Sequence, residues 1–521
     1  MSEKRKLKIG ERQLISEKEN IIEKGLSSKL KSEIGIKRPN NYEHGVTLIA
    51  LVVTIIVLLI LASVTISTIF SDNGIIKKAQ EAANKTKEAV EQEQAELNQL
   101  YNDLASIMNN TTGGSTEEPE PEPEPELPSD GSFSEDKGVN TPNLGEGMTP
   151  IKWDETANSG AGDWVETDGS DPDWYDYSAK KWANAKTSDG SMWVWIPRFA
   201  YSITSGYHSS STGTIEVEFM KGTSNEGATG QQIVNYNSST TRNYTQFPNG
   251  YVIHPAFNYG ETVSGIWVAK FEASQSNASA SSTGSSGVIK VQPGVSSWRS
   301  ITVNDIYTNC LNYNSTLNSH MMKNDEWGAV AYLSKSKYGK ETEEVWINNS
   351  SSYITGSAGN SASASSNTGT TNDYTSTQGV KASTTGNVYG VYDMSGGAWE
   401  YVAAYVNNGN SSLTSYGNSL YTSTDSKTKN VYAKGSSDNN SSNYSANAGV
   451  YGDAVYETSA NGNTINGSWY GDYSNFPDTS FPFFIRGGFY SDGSGAGVFY
   501  FDRDTGNAPS SVSFRPVLVA I

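Results

Sequence analysis

The feature that most constrains this chain is the uncharged run Val46–Phe70, VTLIALVVTIIVLLILASVTISTIF, entered through Gly45. As helix it would extend about 37 Å, beyond the ~30 Å hydrocarbon core of a bilayer, and no polar face interrupts it. The run therefore predicts a single membrane-spanning helix over 46–70. Residues 1–44 carry eleven Lys/Arg against seven acids. That excess predicts a cytoplasmic leader over 1–45 and an exported C-terminal part, a single-pass arrangement with the head outside the cell.

Beyond the run, Ile76, Ala79, Ala83, Val90, Leu97, Leu100, Leu104 and Ile107 recur at three- and four-residue spacing, which predicts an amphipathic helix over 71–110. The stretch EEPEPEPEPELP follows. Its prolines remove backbone donors and its glutamates repel one another, so 111–135 reads as a disordered, extended spacer. The rest is rich in Ser, Asn, Gly, Thr and Tyr. Short β-like runs at Met192–Ile196, Ile215–Phe219 and Gly265–Phe271 and helical patterns at Val303–Asn312 and Asp325–Ser334 predict an α+β head over 190–521, with 136–189 as an extension before it. Segments 272–286, 349–386 and 407–448 read as long surface loops.

Several function classes are excluded or unsupported. A formal net charge of −19 argues against nucleic acid as a partner. One cysteine, Cys310, precludes an intrachain disulfide. His44, His208, His254 and His320 are scattered with no metal-ligand spacing, so no metal or other cofactor is expected. Gly493-Ser494-Gly495-Ala496-Gly497 is followed by a strand-like run rather than a helix, which removes the helix N-terminus a phosphate loop needs.

The sequence His44-Gly45 followed by Val46-Thr47-Leu48-Ile49 resembles the N-terminus of type IV pilins and pseudopilins. The resemblance implies cleavage by a prepilin peptidase between Gly45 and Val46, with the apolar helix retained and other pilins as partners. Ala50 stands where most members have the glutamate used in assembly.

A second resemblance rests on Ser297-Trp298 with Asn304–Cys310, Asp325-Glu326-Trp327, the run Asn387–Glu400 (NVYGVYDMSGGAWE), Arg486-Gly487-Gly488 and Ser513-Phe514-Arg515. These are similar to the formylglycine-generating-enzyme or sulfatase-modifying-factor branch of the C-type lectin fold. Met322-Lys323-Asn324 replaces the usual Leu-Pro-Thr. The resemblance implies that Trp399, Arg486, Gly487, Gly488, Phe514 and Arg515 are scaffold, and it treats Asp393 and Glu400 the same way. Catalytic members carry a copper-binding cysteine pair between the two arginine motifs. This chain has none there, so no enzymatic activity is expected.

The interval Phe489–Asn507 is similar to the terminal segment of lectin-fold receptors diversified by retroelements. It implies that Tyr490, Asp492, Ser494, Tyr500, Asp502, Arg503, Asp504 and Asn507 contribute to one exposed ligand surface, a composition binding loops favour. The sequence reading is thus a pilin-like, membrane-anchored display protein whose head binds an extracellular protein or glycan. A structural pseudopilin and an enzyme of the formylglycine class are the alternatives.

Overall fold

The computed structural model divides into two compact units, Met1–Glu122 and Pro123–Ile521, and describes residues 130–233, 250–365 and 372–521. The apolar run 46–70, Gly45 and Val46, the striped segment 71–110 and the Pro-Glu repeat all lie outside the described residues.

The strands of two seven-stranded sheets begin with β1 (Met148–Asp154), β2 (Asp163–Glu166), β3 (Asn184–Thr187), β4 (Met192–Pro197) and β5 (Gly265–Ala269). Helix α1 (Val303–Tyr313), β6 (His320–Met321), α2 (Asn324–Ser334), β7 (Trp399–Val406), α3 (Ser411–Thr422), β8 (Asn430–Tyr432) and α4 (Asn440–Ala446) follow. The chain ends through β9 (Asn463–Thr464), β10 (Ser474–Asn475), β11 (Phe483–Arg486), β12 (Phe501–Asp504), β13 (Val512–Phe514) and β14 (Pro516–Leu518).

The first sheet has the order β6-β14-β5-β4-β3-β1-β2, antiparallel throughout. It joins the last strand of the chain to strands from residues 148–197. The second has the order β8-β7-β11-β12-β10-β9, with β13 parallel to β7. Continuous apolar sequence explains the centre of the first sheet: β4 (MWVWIP) and β5 (GIWVA) are buried at every position, as strands covered on both faces must be. Helix α2 is buried along its whole length. It passes so close to the 452–453 segment that a Cβ on Gly328 would stand 2.0 Å from the Gly452 carbonyl oxygen, so only glycine fits there. A separate apolar cluster joins Tyr401, Phe483, Ile485 and Phe514 of the second sheet to Ile306, Tyr307 and Cys310 of α1 and Leu413 and Leu420 of α3.

The mixed α+β content agrees with the sequence reading, but its long N-terminal transmembrane and amphipathic helix has no counterpart among the described residues. Among the described residues no helix is long and apolar enough to cross a membrane. Both α1 and α2 have 11 residues and α3 has 12, and twelve residues extend only about 18 Å. The 407–448 segment also differs from expectation, since it contains α3 and α4 rather than a long surface loop. Their Ser/Asn-rich sequences have low helix propensity. Each helix starts on an asparagine side chain that accepts a backbone N–H, Asn410 from Ser412 and Asn439 from Ser442. A few buried residues, Leu413 and Leu420 in α3 and Tyr444 in α4, hold them against the body.

Candidate functional site

Strand β12 continues the second sheet from β11, with Ile485 opposite Asp502 and Phe484 opposite Arg503. Because Tyr401 pairs with Ile485, Asp502 points to the Tyr401 side of the sheet and Arg503 to the other. Within β12 this alternation separates Arg503 from Asp502 and Asp504.

Tyr490, Asp492, Tyr500 and Asp502 gather around Trp399. The Trp399 ring stacks on Phe489 with centroids 4.5 Å apart and planes 20° from parallel. Phe489 lies 4.2 Å from Tyr490, and Tyr490 meets Tyr353 edge-on at 5.3 Å. The guanidinium of Arg299 caps the far end, 3.8 Å over the Tyr353 ring. All five of these side chains are partly exposed, so the stack Arg299–Tyr353–Tyr490–Phe489–Trp399 is a continuous ridge at the surface.

Tyr500 supports the ridge from below. It is only 3% exposed, contrary to its expected place on an exposed surface. Its hydroxyl accepts a hydrogen bond from Trp399 Nε1 (2.9 Å) and donates to Asp502 Oδ2 (3.2 Å). Asp502 Oδ1 accepts from Asn475 Nδ2 (2.7 Å) and the Arg503 backbone N–H (2.8 Å). Burial nevertheless pushes the Asp502 carboxyl up to about 6. Asp492 accepts from the Phe489 N–H at 2.8 Å, and burial raises its carboxyl too. Two carboxylates of reduced acidity thus flank the aromatic ridge.

The other predicted residues lie elsewhere. Arg503 pairs with Asp478 and sits 5.1 Å over the Phe481 ring. Asp504 accepts from the Tyr401 hydroxyl at 2.5 Å, and the same hydroxyl reaches the Asn507 carbonyl at 3.3 Å. Ser494 is exposed in the turn Gly493–Gly495. Three partly exposed side chains of the ridge, Arg299, Tyr353 and Phe489, were missed by the sequence reading. Arg299 and Tyr353 lie 190 and 136 positions before Phe489 in the chain, and no local pattern marks two residues that meet only through folding.

The remaining charged candidates are internal. Arg515 donates from Nε to Glu400 Oε2 (2.8 Å) and from a terminal nitrogen to Glu400 Oε1. It also donates to the carbonyls of Ala269 (3.0 Å) and Tyr392 (3.1 Å). Asp393 accepts from Asn348, Gly356 and Glu272. Arg486 donates to the carbonyls of Asp453 and Ala454, each at 3.2 Å. Gly487 and Gly488 both have φ of +83°, and a Cβ on Gly488 would lie 2.6 Å from that of Ala496. Phe514 packs on Trp298. The Cys310 thiol is buried in α1, and burial pushes its pKa up. Among the described residues no group of three or more His, Cys, Asp or Glu could hold a metal ion.

No family model matches this chain, and no curated protein matches it. The resemblances to type IV pilins, to formylglycine-generating or sulfatase-modifying proteins of the lectin fold and to retroelement-diversified receptors are therefore not borne out. The reading of a pilin-like, membrane-anchored display protein is withdrawn, because no described helix can cross a membrane and no relative supports the identity. The membrane, a prepilin peptidase and other pilins fall with it as partners, as does the single-pass localisation.

Proposed function

We propose that the described body is a non-covalent binding module whose site is the ridge Arg299–Tyr353–Tyr490–Phe489–Trp399, and that it performs no chemistry on what it binds. The observation that carries this reading is the partial exposure of four aromatic rings in one contiguous cluster, Trp399 stacked on Phe489 and the others tilted or edge-on, flanked by Asp492 and Asp502. Aromatic rings offer large contact area at low entropic cost. Their faces attract cations, and the adjacent carboxylates add charge complementarity. A peptide segment with aromatic and basic side chains is the ligand chemistry that fits, and the acidic chain, at −19, favours its approach.

The absence of catalysis is supported by the fate of the charged candidates. Asp393, Glu400, Arg486 and Arg515 are at most 1% exposed and occupied with internal hydrogen bonds. A group committed in this way cannot reach a substrate.

The test is a peptide library screened against immobilised full chain, with affinities of the selected peptides measured for wild type and for Tyr490→Ala. Truncating a partly exposed aromatic anchor should weaken binding by about 1–2 kcal/mol, roughly tenfold, with the unfolding temperature unchanged. A screen that returns no binder, or binders whose affinity for Tyr490→Ala equals that for wild type, refutes the proposal.

A further inference from the structure

Strand β8 forms one edge of the second sheet. It runs parallel to β7, with Ala404, Tyr405 and Val406 opposite Asn430, Val431 and Tyr432. The Asn407 N–H donates to the Tyr432 carbonyl at 2.9 Å, so the backbone groups of Asn430 and Tyr432 turn towards β7. In a parallel pair the residue between them faces the other way. The N–H and C=O of Val431 therefore point outwards from the edge, and neither meets a hydrogen-bond partner among the described residues.

Two residues further on, the same edge is closed. The Ala433 N–H donates to Asn447 Oδ1 and the Ala433 carbonyl accepts from Asn447 Nδ2, each at 2.8 Å. The Asn447 amide thus stands where the backbone of a further strand would be. No described group does the same at Val431, which is 49% exposed.

A cavity of about 700 Å³ opens beside this gap and shares no residue with the ridge. Strand β8 and residues 253–258 and 446–453 supply most of its wall. The charged side chains that border it are committed elsewhere. Arg198 donates to the carbonyls of Gly222 and Ser224, Asp325 pairs with Asn430 and Lys323, and Asp453 accepts from Tyr432 and Val455. Ile253, Pro255, Phe257, Val431 and Val450 provide apolar surface.

An outward N–H and C=O on one exposed edge residue are the complement of another extended backbone. Main-chain bonds of this kind give a bound peptide its affinity, and a pocket for an alternate side chain gives it specificity. We propose that an extended peptide segment adds to the second sheet at Val431, exchanging backbone hydrogen bonds with that residue and laying a large apolar side chain against Ile253, Phe257 and Val450 in the cavity. Asn447 sets where the added strand stops, before Ala433. The site is independent of the ridge.

The test is a library of acetylated, amidated hexapeptides screened against immobilised full chain, with affinities of the selected peptides measured for wild type, Val431→Pro, Val431→Ala and Tyr490→Ala. Because the Val431 N–H faces outwards, proline there removes the donor without taking a bond from β7. Peptides held at β8 should bind Val431→Pro about tenfold or more weakly than Val431→Ala, which keeps the donor, with both variants unfolding near the wild-type temperature. A peptide weakened by Tyr490→Ala and not by Val431→Pro belongs to the ridge, so failure here and failure of the ridge are read separately. A second measurement needs no variant. Methylating one backbone nitrogen of a selected peptide should lower its affinity about tenfold at the residue paired with Val431 and little at the residues on either side; if Val431→Pro does not fold, this scan decides. A screen in which no peptide separates Val431→Pro from Val431→Ala overturns the proposal. So does a β8 peptide that tolerates methylation at every backbone nitrogen.

Discussion

Replacing Asp453 by asparagine tests the electrostatics of the interior beside α2. The carboxyl is 2% exposed, with Oδ2 on the Tyr432 hydroxyl and Oδ1 on the Val455 N–H. Burial outweighs these bonds and raises its pKa from 3.8 to about 6. A carboxyl whose folded pKa lies above its unfolded one binds its proton more tightly in the native state. Stability from this group is therefore fully present below about pH 4 and lost as pH rises through about 6. Roughly two pKa units correspond to about 3 kcal/mol, an upper figure for the loss. Asparagine has nearly the same shape and does not titrate. The stability of Asp453→Asn relative to wild type should thus improve by about 2–3 kcal/mol between pH 4 and pH 8. Urea unfolding of both proteins at pH 4, 5, 6, 7 and 8 measures this directly. A difference between the two that stays flat across the range would falsify the argument, because it would mean the native carboxyl titrates as in the unfolded chain.

Two further substitutions examine the core. Arg515→Met leaves Glu400, Asp393 and Glu272 together without their cation and removes a link to the Ala269 and Tyr392 carbonyls; it should cost at least ~3–5 kcal/mol by urea unfolding. Glu400→Gln should cost distinctly less, because it relieves repulsion within the same cluster, and the reverse order would contradict this account. Cys310→Ser places a hydroxyl in the apolar contact between α1 and the second sheet and should lower stability by ~1–2 kcal/mol, while a value near zero would show that the site takes a polar group freely.

Residues with strong local patterns were legible. The helical patterns of Val303–Asn312 and Asp325–Ser334 became α1 and α2 to within a residue; in α1 the buried positions Val303, Ile306, Tyr307 and Cys310 recur at helical period, while α2 is buried on every side. The runs at Met192 and Gly265 became the central strands β4 and β5, because short continuous apolar runs suit strands buried on both faces. Helices α3 and α4 were not legible. Their Ser/Asn composition matches that of loops, and what selects helix is an asparagine cap together with a few contacts to distant residues. Of the residues that the sequence reading groups on one exposed surface, Tyr490, Asp492 and Asp502 are partly exposed, whereas Tyr500 is 3% exposed and Arg503 points to the other face of the sheet from Asp502.

By itself the sequence determined the class of the body, α+β with apolar central strands, the lack of any intrachain disulfide and the acidic balance of the chain. Those properties depend on composition and on spacing within a few residues, which a linear chain displays openly. Tertiary structure alone decided that Arg299 and Tyr353 cap a stack begun at Trp399. It alone placed Phe257 and Val431, 174 positions apart, in one cavity. The physical reason is that such juxtapositions follow from strand pairing and the path of the connecting chain, and no short-range pattern encodes which distant side chains will share a solvent boundary.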